Sequence, residues 1–217
     1  MNKEEFIEEA KKLGINLNEE QLKKLEKFYL LLVEWNKRIN LTRIIDKEEV
    51  YLKHFYDSLT LTKVVDFRKE QTLCDVGSGA GFPGLVLKII FPHLKITLID
   101  SLNKRVIYLN EIIKELELEN IVAIHTRGED YKETFDVVTA RAVANIEKLV
   151  NYTMHLVKKE GMFIAMKANI ENELTKEVEN KISKNYNITR IEKFILPKEN
   201  SIRSLVVIER KKGNDRI

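Results

Sequence analysis

From residue 72 onward, short runs of apolar and β-branched residues alternate with longer runs of helical periodicity. This alternation predicts a mainly parallel sheet with helices on both faces, because each parallel strand needs a crossover that returns the chain to the same edge. The predicted strands are Thr72–Val76, Ile96–Asp100, Ile121–His125, Phe135–Thr139, Gly161–Lys167, Tyr186–Leu196 and Ser204–Arg210. The predicted helices between them are Gly84–Phe91, Lys104–Leu118, Ile146–Lys158 and Glu171–Lys184.

The last two predicted strands are joined differently from the others. Their connection, Pro197–Arg203, has about seven residues and no helical pattern. That length suits an antiparallel hairpin and is too short for a right-handed parallel crossover. A seven-stranded, mostly parallel sheet with an antiparallel C-terminal hairpin resembles the Rossmann-like fold of class I methyltransferases, and we predict this α/β fold class. A short basic tail, Arg210–Ile217, ends the chain.

The first sixty or so residues have helical periodicity instead. Asn18 followed by Gln21 predicts a capping box, and the apolar stripe after it predicts a helix of about twenty residues. The stripe consists of Leu22, Leu25, Tyr29, Leu32, Trp35 and Ile39. The other two helices predicted here are Glu4–Leu13 and Lys47–Leu61. We therefore predict a small helical N-terminal region over residues 1–62 and an α/β domain over 63–217.

Composition excludes several classes of protein. The chain has 33% charged residues and a formal net charge of +3, which permits a nucleic-acid partner without requiring one. The single cysteine, Cys74, excludes an internal disulfide and a multi-cysteine zinc site. The N-terminus is acidic, unlike a secretory signal, and the apolar run Phe28–Val33 is too short to cross a bilayer. We predict a soluble cytoplasmic protein without a metal. The histidines, scattered without metal-ligand spacing, are His54, His93, His125 and His155.

The stretch DVGSGAGFPG, residues 75–84, follows the first predicted strand and satisfies two ligand-binding patterns. Gly79, Gly81 and Gly84 match the dinucleotide pattern G-x-G-x-x-G, whereas Asp75, Gly77, Gly79 and Gly81 match D-x-G-x-G-x-G. The position of Asp75 at the carboxyl end of a strand favours the second pattern. A carboxylate about 5 Å from a phosphate costs roughly 3 kcal/mol at an effective dielectric of about 20. S-adenosylmethionine has no phosphate and carries two cationic groups, so we predict adenosylmethionine as the ligand.

Asp100 ends the second predicted strand, nineteen residues after Gly81. A carboxylate at this position can accept hydrogen bonds from both hydroxyls of a ribose. This role fits adenosylmethionine and a dinucleotide equally, so Asp100 predicts a nucleoside without choosing between them. The alternative is that Asp100 caps the helix that follows.

The absence of two motifs known from other methyltransferases limits the range of methyl acceptors. The D/N-P-P-Y/F tetrapeptide of enzymes that methylate exocyclic amines is absent after the fourth strand, where the chain reads FDVVTARAV over 135–143. Pyrimidine C5 methylation needs a cysteine nucleophile, and Cys74 lies inside the first predicted strand. An acceptor with an available lone pair, such as guanine N7, needs only alignment with the methyl group at about 3–3.5 Å.

Several short motifs carry a resemblance to a known family. They are Asn40–Thr42, Lys53–Leu59, Asp75–Gly84, Leu98–Ser101 with Lys104–Arg105, Arg127–Glu129, Thr139–Ala144 and Met166–Lys167. With them, nearly the whole chain resembles the bacterial small-subunit ribosomal RNA guanine-N7 methyltransferases, the glucose-inhibited division protein B family. The resemblance implies methylation of N7 on one guanine in the 530 loop of 16S rRNA, and makes residues 63–217 an adenosylmethionine-dependent methyltransferase domain.

The resemblance also implies roles for single residues. Gly77 and Phe82 would line the cofactor site, and Gly128 and Glu129 would lie beside the adenosine. Arg141 would lie near the methionine end, where a guanidinium can hold a carboxylate with two parallel hydrogen bonds. The alternative for Arg141 is a surface ion pair after a strand.

No residue is predicted with certainty to be catalytic; Arg141 and Lys167 are candidates for positioning. The candidates for RNA phosphate contact are Lys104, Arg105, Lys167 and Arg203. Three more basic residues that extend this surface are Lys37, Arg38 and Arg43. For each of them a solvated surface position is the alternative.

His54 and Asp57 stand three residues apart on a predicted helix, so that they can share one face. We interpret them as a structural pair that holds the helical region to the α/β domain, with a role toward RNA or cofactor as the alternative. Core packing is likewise favoured over base stacking for three aromatic residues, Trp35, Phe55 and Tyr56.

The sequence thus predicts a cytoplasmic, monomeric methyltransferase that uses adenosylmethionine and acts on 16S rRNA or the small ribosomal subunit. Three alternatives stay open. One is a methyltransferase acting on another RNA group or a small molecule, and another is a non-catalytic RNA-binding protein. The third is a nicotinamide oxidoreductase.

Overall fold

The computed structural model describes residues 1–213, so residues 214–217 of the predicted basic tail lie outside the described residues. Its centre is one seven-stranded sheet in the order β3-β2-β1-β4-β5-β7-β6. Strands β1 to β5 are mutually parallel, and β7 runs antiparallel between β5 and β6. The predicted fold class is confirmed. The strands are β1 Thr72–Val76, β2 Lys95–Asp100, β3 Ile121–His125, β4 Phe135–Arg141, β5 Val157–Lys167, β6 Tyr186–Ile195 and β7 Ile202–Arg210.

Eight α-helices accompany the described sheet. They are α1 Lys3–Lys12, α2 Glu19–Asn36, α3 Lys47–Val50, α4 Asp57–Leu59, α5 Gly84–Ile90, α6 Asn103–Glu115, α7 Ile146–Thr153 and α8 Lys176–Ser183. The predicted capping box of α2 is confirmed: Asn18 accepts from the backbone N–H of Gln21 at 2.8 Å, and the Gln21 side chain accepts from the backbone N–H of Asn18 at 2.9 Å.

Between α3 and α4 the chain forms a π-helical segment, Tyr51–Tyr56, where one α-helix was predicted over 47–61. A 3-10 turn, Thr60–Lys63, continues the run after α4. The backbone N–H of Asp57 bonds the carbonyl of Leu52, five residues back, which widens the turn. Periodicity alone does not distinguish such a turn from regular α-helix.

Two predicted helix ends were wrong. Helix α7 gives way to a 3-10 turn at Met154, and Val157 already pairs with Phe135 in the sheet. Helix α8 begins only at Lys176, because Thr175 adopts extended backbone geometry and caps the helix by accepting from the N–H of Val178. The residues before Thr175 form a turn that contains Glu173, whose carboxylate pairs with Lys167.

The core lies on both faces of the sheet. On one face the N-terminal helices pack against α5 and α6, with Phe28 stacked on Phe82 at 5.3 Å and Trp35 edge-on to Tyr108 at 5.7 Å. On the other face α7 and α8 cover a second apolar cluster. The core assignment of three aromatic residues is confirmed, since Phe55 and Tyr56 are buried and Trp35 packs against the same cluster. Across residues 1–213 we find no helix with the length and apolar character needed to cross a membrane.

Candidate active site

The glycine loop turns the chain sharply from β1 into α5. Gly77 has a φ of +72°, a backbone conformation that L side chains rarely adopt. A Cβ built on it would lie 2.6 Å from Cγ2 of Val143, whereas a Cβ on Gly79 would meet only a backbone oxygen at 3.9 Å. The backbone N–H groups of Gly77 and Ser78 both donate to the carbonyl of Ile99. The loop is therefore tied to β2, and its Gly79 side faces open space that a ligand can fill.

Asp75 lies behind this loop. Its carboxyl is fully buried, and Oδ2 accepts from the backbone N–H of Gly84 at 2.9 Å. Its Oδ1 has no hydrogen-bond partner among residues 1–213. Burial raises the pKa of Asp75 to about 7. In this structure the Asp75 carboxyl holds the start of α5, and its predicted contact with a ligand stays a prediction.

In front of the loop lies a cavity of about 350 Å³, here called the glycine-loop cavity. The loops after β1, β2 and β4 form it, and the N-terminal region closes it with Leu41, Thr42 and His54. The predicted cofactor residues that line it are Gly77, Gly79, Phe82, Asp100 and Arg141. The structure therefore brings five of the nine predicted cofactor residues together at the carboxyl edge of the sheet, where ligands of open α/β sheets bind.

The remaining predicted cofactor residues lie outside this lining. Gly81 packs against Leu85, and Gly128 is buried where a Cβ would approach Cγ1 of Val76 to 2.9 Å. Glu129 is exposed on a 3-10 turn, Gly128–Asp130, that follows β3 at the same edge. Their predicted contacts with a cofactor stay predictions.

Asp100 lines the glycine-loop cavity and also organises it. Its Oδ2 accepts from the backbone N–H of Gly79, and its Oδ1 accepts from that of Leu102, both at 2.9 Å. Arg105 approaches Oδ2 at 3.6 Å. Leu102 is the N-cap residue of α6, and no side chain caps that helix, so Asp100 does not have the alternative role of a helix cap. Each carboxylate oxygen has a second lone pair, which leaves Asp100 able to accept from a ribose.

Arg141, at the end of β4, is held by the N-terminal region. Its Nη1 donates to the carbonyl of Lys53 at 3.1 Å and to Oδ2 of Asp57 at 3.2 Å. Its Nη2 donates to Nδ1 of His54 at 3.1 Å. The guanidinium lies 5.2 Å from the ring centre of Phe82. His54 and Asp57 thus link the N-terminal region to the α/β domain as the structural interpretation predicts, although they meet on Arg141 rather than on each other. The alternative, a role toward RNA or cofactor, stays open, since His54 lines the cavities described here.

His54 is uncharged in this arrangement. Its Nδ1 accepts from Arg141, and its Nε2 lies 2.9 Å from Oγ1 of Thr42, which also accepts from the backbone N–H of Ile44. The proton therefore belongs on Nε2. Burial, aided by the charge of Arg141, lowers the pKa of His54 to about 3. The ring stacks on Phe82 with centres 4.3 Å apart.

A second cavity of about 300 Å³ adjoins the first and shares His54, Arg141 and Ala142 with it. We call it the basic cavity, because Lys53, Lys167 and Arg203 line it together with Arg141. One carboxylate, Asp57, and an apolar floor complete the lining. The floor consists of Ile44, Met166, Ala168, Phe194 and Leu205.

Carboxylates and carbonyls hold each cation of the basic cavity. Lys167 donates to the carbonyl of Ala144 and pairs with Glu173 at 2.9 Å. Lys53 pairs with Glu49 at 2.8 Å and with Glu199 at 3.0 Å. Nε of Arg203 lies 3.5 Å from Oδ1 of Asp57. Sequence reasoning found Lys167 and Arg203 but missed Lys53 and the apolar floor; the motif Lys53–Leu59 was the available signal.

The predicted RNA-contacting residues thus divide between two places. Lys167 and Arg203 line the basic cavity, and Arg105 lines the glycine-loop cavity. Lys104 is exposed on the first turn of α6. The three further basic residues lie at or after the end of α2, where Lys37 and Arg38 pair with Glu34 and Arg43 is exposed. Within residues 1–213, no three histidine, cysteine or acidic side chains are grouped as a metal would require.

Comparison with known proteins gives a family match. The family described as rRNA small subunit methyltransferase G matches residues 21–203. Ribosomal RNA small subunit methyltransferase G of Bacillus licheniformis is 48% identical over 218 residues, covering 97% of this chain and 91% of the relative. The protein of that name from Bacillus subtilis is 46% identical over 220 residues, covering 98% and 92%.

Solved structures with the same fold are more distant in sequence. A SAM-dependent methyltransferase from Aquifex aeolicus has a TM-score of 0.57 and 18% identity, covering 81% of this chain and 97% of that one. The ribosomal protein L11 methylase of Lactobacillus delbrueckii subsp. bulgaricus has a TM-score of 0.54 and 16% identity, covering 76% and 80%. At these identities the likeness concerns the fold.

Proposed function

The chain belongs to the ribosomal RNA small subunit methyltransferase G family, and we propose that it transfers the methyl group of S-adenosylmethionine to N7 of a guanine in the 530 loop of 16S rRNA. The observation that carries the proposal is the pair of adjoining cavities at one edge of the sheet. The first is lined by a glycine loop and the carboxylate of Asp100, which suit a nucleoside. The second is lined by four cationic side chains, which suit the phosphates of RNA.

The residues of the glycine-loop cavity fit adenosylmethionine. At Gly79 a ligand can approach the backbone, because a Cβ there would point into open space. We assign to Asp100 the ribose hydroxyls, as acceptor, because the acidic residue after the second strand has this role in related nucleoside sites. Arg141 lines the same cavity and offers its remaining N–H groups to the methionine carboxylate.

Bound adenosylmethionine supplies an electrophilic methyl group on a sulfonium. The N7–methyl bond forms as the sulfur–methyl bond breaks, so the positive charge passes from sulfur to the purine and no proton moves. The protein therefore needs no general base at the acceptor, which agrees with a neutral His54 that is fully engaged by Arg141 and Thr42. The task left to the protein is alignment of N7 with the methyl carbon at about 3–3.5 Å.

The proposal is tested with tritium-labelled adenosylmethionine and small ribosomal subunits, or 16S rRNA, from cells that lack their own copy of this enzyme. Nuclease digestion and chromatography then identify the labelled nucleoside. We expect label in 7-methylguanosine at one site. Label in another nucleoside would keep the cofactor and overturn the acceptor. No label on any RNA, with adenosylmethionine bound, would favour a different substrate or a non-catalytic RNA-binding protein.

The proposal also covers the cellular compartment, the oligomeric state and the metal requirement of the enzyme. We take the enzyme to act in the cytoplasm, as a monomer, without a metal ion, on 16S rRNA or the small subunit. Activity that survives exhaustive treatment with a chelator tests the absence of a metal, and light scattering of the active species tests the monomer. Both measurements are independent of the labelling experiment.

A further inference from the structure

We propose that the basic cavity is the pocket for the acceptor nucleotide, with the guanine base on its apolar floor and the adjacent phosphates on Lys53, Lys167 and Arg203. This inference rests on the proposed function and assigns a place to the substrate of that reaction. It also makes residues of the N-terminal region, Lys53 among them, part of the RNA-binding site.

The two cavities differ in the charged groups that line them. The basic cavity is lined by four cationic side chains and the carboxylate of Asp57. Glu49 and Glu199 pair with Lys53, and Glu173 pairs with Lys167, so carboxylates around the cavity balance its cations. The glycine-loop cavity is lined by two cations, Arg105 and Arg141, and the carboxylate of Asp100. What suits the basic cavity to a phosphodiester chain is its set of charged N–H donors, which form strong hydrogen bonds with phosphate oxygens.

The cations are held in place before RNA arrives. Each Lys ammonium has three donors and the Arg guanidinium has five. The protein contacts described above use two donors each on Lys167 and Lys53. Arg203 likewise approaches Asp57 and donates to the carbonyl of Ile202. Donors therefore remain on all three side chains, and little rotamer freedom is left to lose when a phosphate binds.

The floor of the basic cavity suits an extruded base. Phe194 of β6 faces Arg203 of β7 in the hairpin register, and Met166 pairs with Leu205. The ammonium of Lys63 lies over the Phe194 ring, 5.0 Å from its centre, so a base would stack on the opposite face. An aromatic ring beside apolar side chains is the surface on which single-stranded bases stack. The volume of about 300 Å³ is at the small end of ligand-binding cavities and admits one nucleotide rather than a helix. The target guanine must therefore be unstacked before reaction.

The shared wall explains why N7 stays free to react. Arginine commonly recognises guanine by donating to O6 and N7 together, which would occupy the N7 lone pair. Here Arg141 stands at the wall between the cavities. Three of its five N–H donors are directed to the Lys53 carbonyl, Asp57 and His54, and we assign the other two to the methionine carboxylate. The network keeps the guanidinium beside the acceptor without tying up its nucleophilic atom.

The test compares variants of the hairpin in the full-length enzyme. Arg203→Ala removes a phosphate donor, and Phe194→Leu removes the aromatic face while it preserves an apolar side chain. Arg190→Ala is the matched control, since Arg190 lies on the same hairpin and also pairs with a single carboxylate, Glu192. Adenosylmethionine affinity, KM and kcat for methyl-deficient small subunits, and the thermal unfolding temperature are measured for each.

We expect KM for the subunit to rise about tenfold in both cavity variants, with cofactor affinity changed less than twofold and the Arg190→Ala control unchanged. Normal KM in both folded variants would overturn the pocket and leave the proposed function standing. Loss of cofactor affinity would also overturn it, because the cavity would then belong to the cofactor. A wild-type enzyme that labels no RNA would overturn both.

A cross-linking measurement covers the case in which a variant fails to fold. Small-subunit RNA carrying 6-thioguanosine at the methylated position is irradiated with wild-type enzyme, and the attached peptide is identified by mass spectrometry. Attachment at 44, 53, 57, 166–168, 194, 203 or 205, positions that line the basic cavity and not the glycine-loop cavity, supports the pocket. Attachment elsewhere overturns it, while the methylation assay on the same preparation reports separately on the proposed function.

Discussion

The glycine-loop cavity and the basic cavity share a wall, but different kinds of chemical group shape them. The first is shaped by backbone: two carboxyls, Asp75 and Asp100, bind amides of the loop and of α5. The second is shaped by side chains that carboxylates hold in place. A backbone cradle suits a small cofactor of constant shape, whereas paired cations suit a flexible polyanion. Arg141 belongs to both, so it provides the strongest way to test the comparison.

Replacement of Arg141 has the largest expected effect. Arg141→Ala leaves the buried carboxylate of Asp57, 8% exposed in its side chain, without its nearer cation. Removing one partner of a buried pair costs about 3 kcal/mol or more of folding free energy. We expect this loss in chemical denaturation, together with loss of methyl transfer. Arg68→Ala is the control: its pair with Asp66 is exposed, and such surface pairs contribute about 1 kcal/mol or less. Equal losses in both variants would contradict the shared role of Arg141.

Asp75, behind the glycine loop, makes the free energy of unfolding depend on pH. Its pKa is raised from 3.8 to about 7 in the folded protein, so the folded state binds more protons than the unfolded chain between these values. The contribution of Asp75 to the free energy of unfolding therefore falls as pH rises from about 4 to about 7, by up to about 1.4 kcal/mol per pH unit.

We expect Asp75→Asn to remove that slope, because the amide oxygen can still accept from Gly84 and the group no longer titrates. Urea unfolding of both proteins across this pH range measures the difference. Parallel curves would show that the Asp75 carboxyl is ionised in the folded state, contrary to this argument.

How far these features follow from the sequence differs between the cavities. The strands and the glycine loop are local sequence patterns, and each of the seven strands overlaps a predicted one. The basic cavity assembles side chains from the π-helical segment, β5 and the hairpin, which are far apart in sequence. Nothing local marks Phe194 or Met166 as its floor. Asp75 was predicted to belong to the cofactor site at the glycine loop. The direction of its carboxyl depends on how α5 packs, which the local sequence does not show.

Gly77 tests the glycine-loop cavity alone. Gly77→Ala requires a φ near +72° for an L residue and displacement of Val143, which together cost about 2 kcal/mol or more. We expect adenosylmethionine affinity to fall at least about tenfold in calorimetric titration. Gly14→Ala is the matched control: Gly14 has a φ of +80° and no atom within 4 Å of a built Cβ. It should cost stability and leave cofactor affinity unchanged. A similar loss of affinity in both variants would mean that the cavity responds to general destabilisation.

Replacement of His54 has the smallest expected effect on activity. Two variants of this residue show whether the enzyme needs the hydrogen bond to Arg141 or a charge on the imidazole. His54→Leu removes the acceptor for Arg141, a hydrogen bond to a charged group worth about 1.5 kcal/mol. His54→Asn keeps an acceptor oxygen near the Nδ1 position. We expect kcat/KM to fall about tenfold for the leucine variant and much less for the asparagine variant.

The pH profile adds a second readout for His54. Because burial lowers its pKa from 6.5 to about 3, the folded state binds fewer protons than the unfolded chain between these values. The free energy of unfolding therefore rises with pH from about 3 to about 6.5 through this group, opposite in sign to the contribution of Asp75. We expect His54→Asn to lack this rising contribution, so that its unfolding free energy depends on pH differently from that of wild type. The pH profiles of kcat/KM should have the same acid side in both proteins. An acid limb near pH 6 that disappears on substitution would mean that His54 is charged or transfers a proton during the reaction.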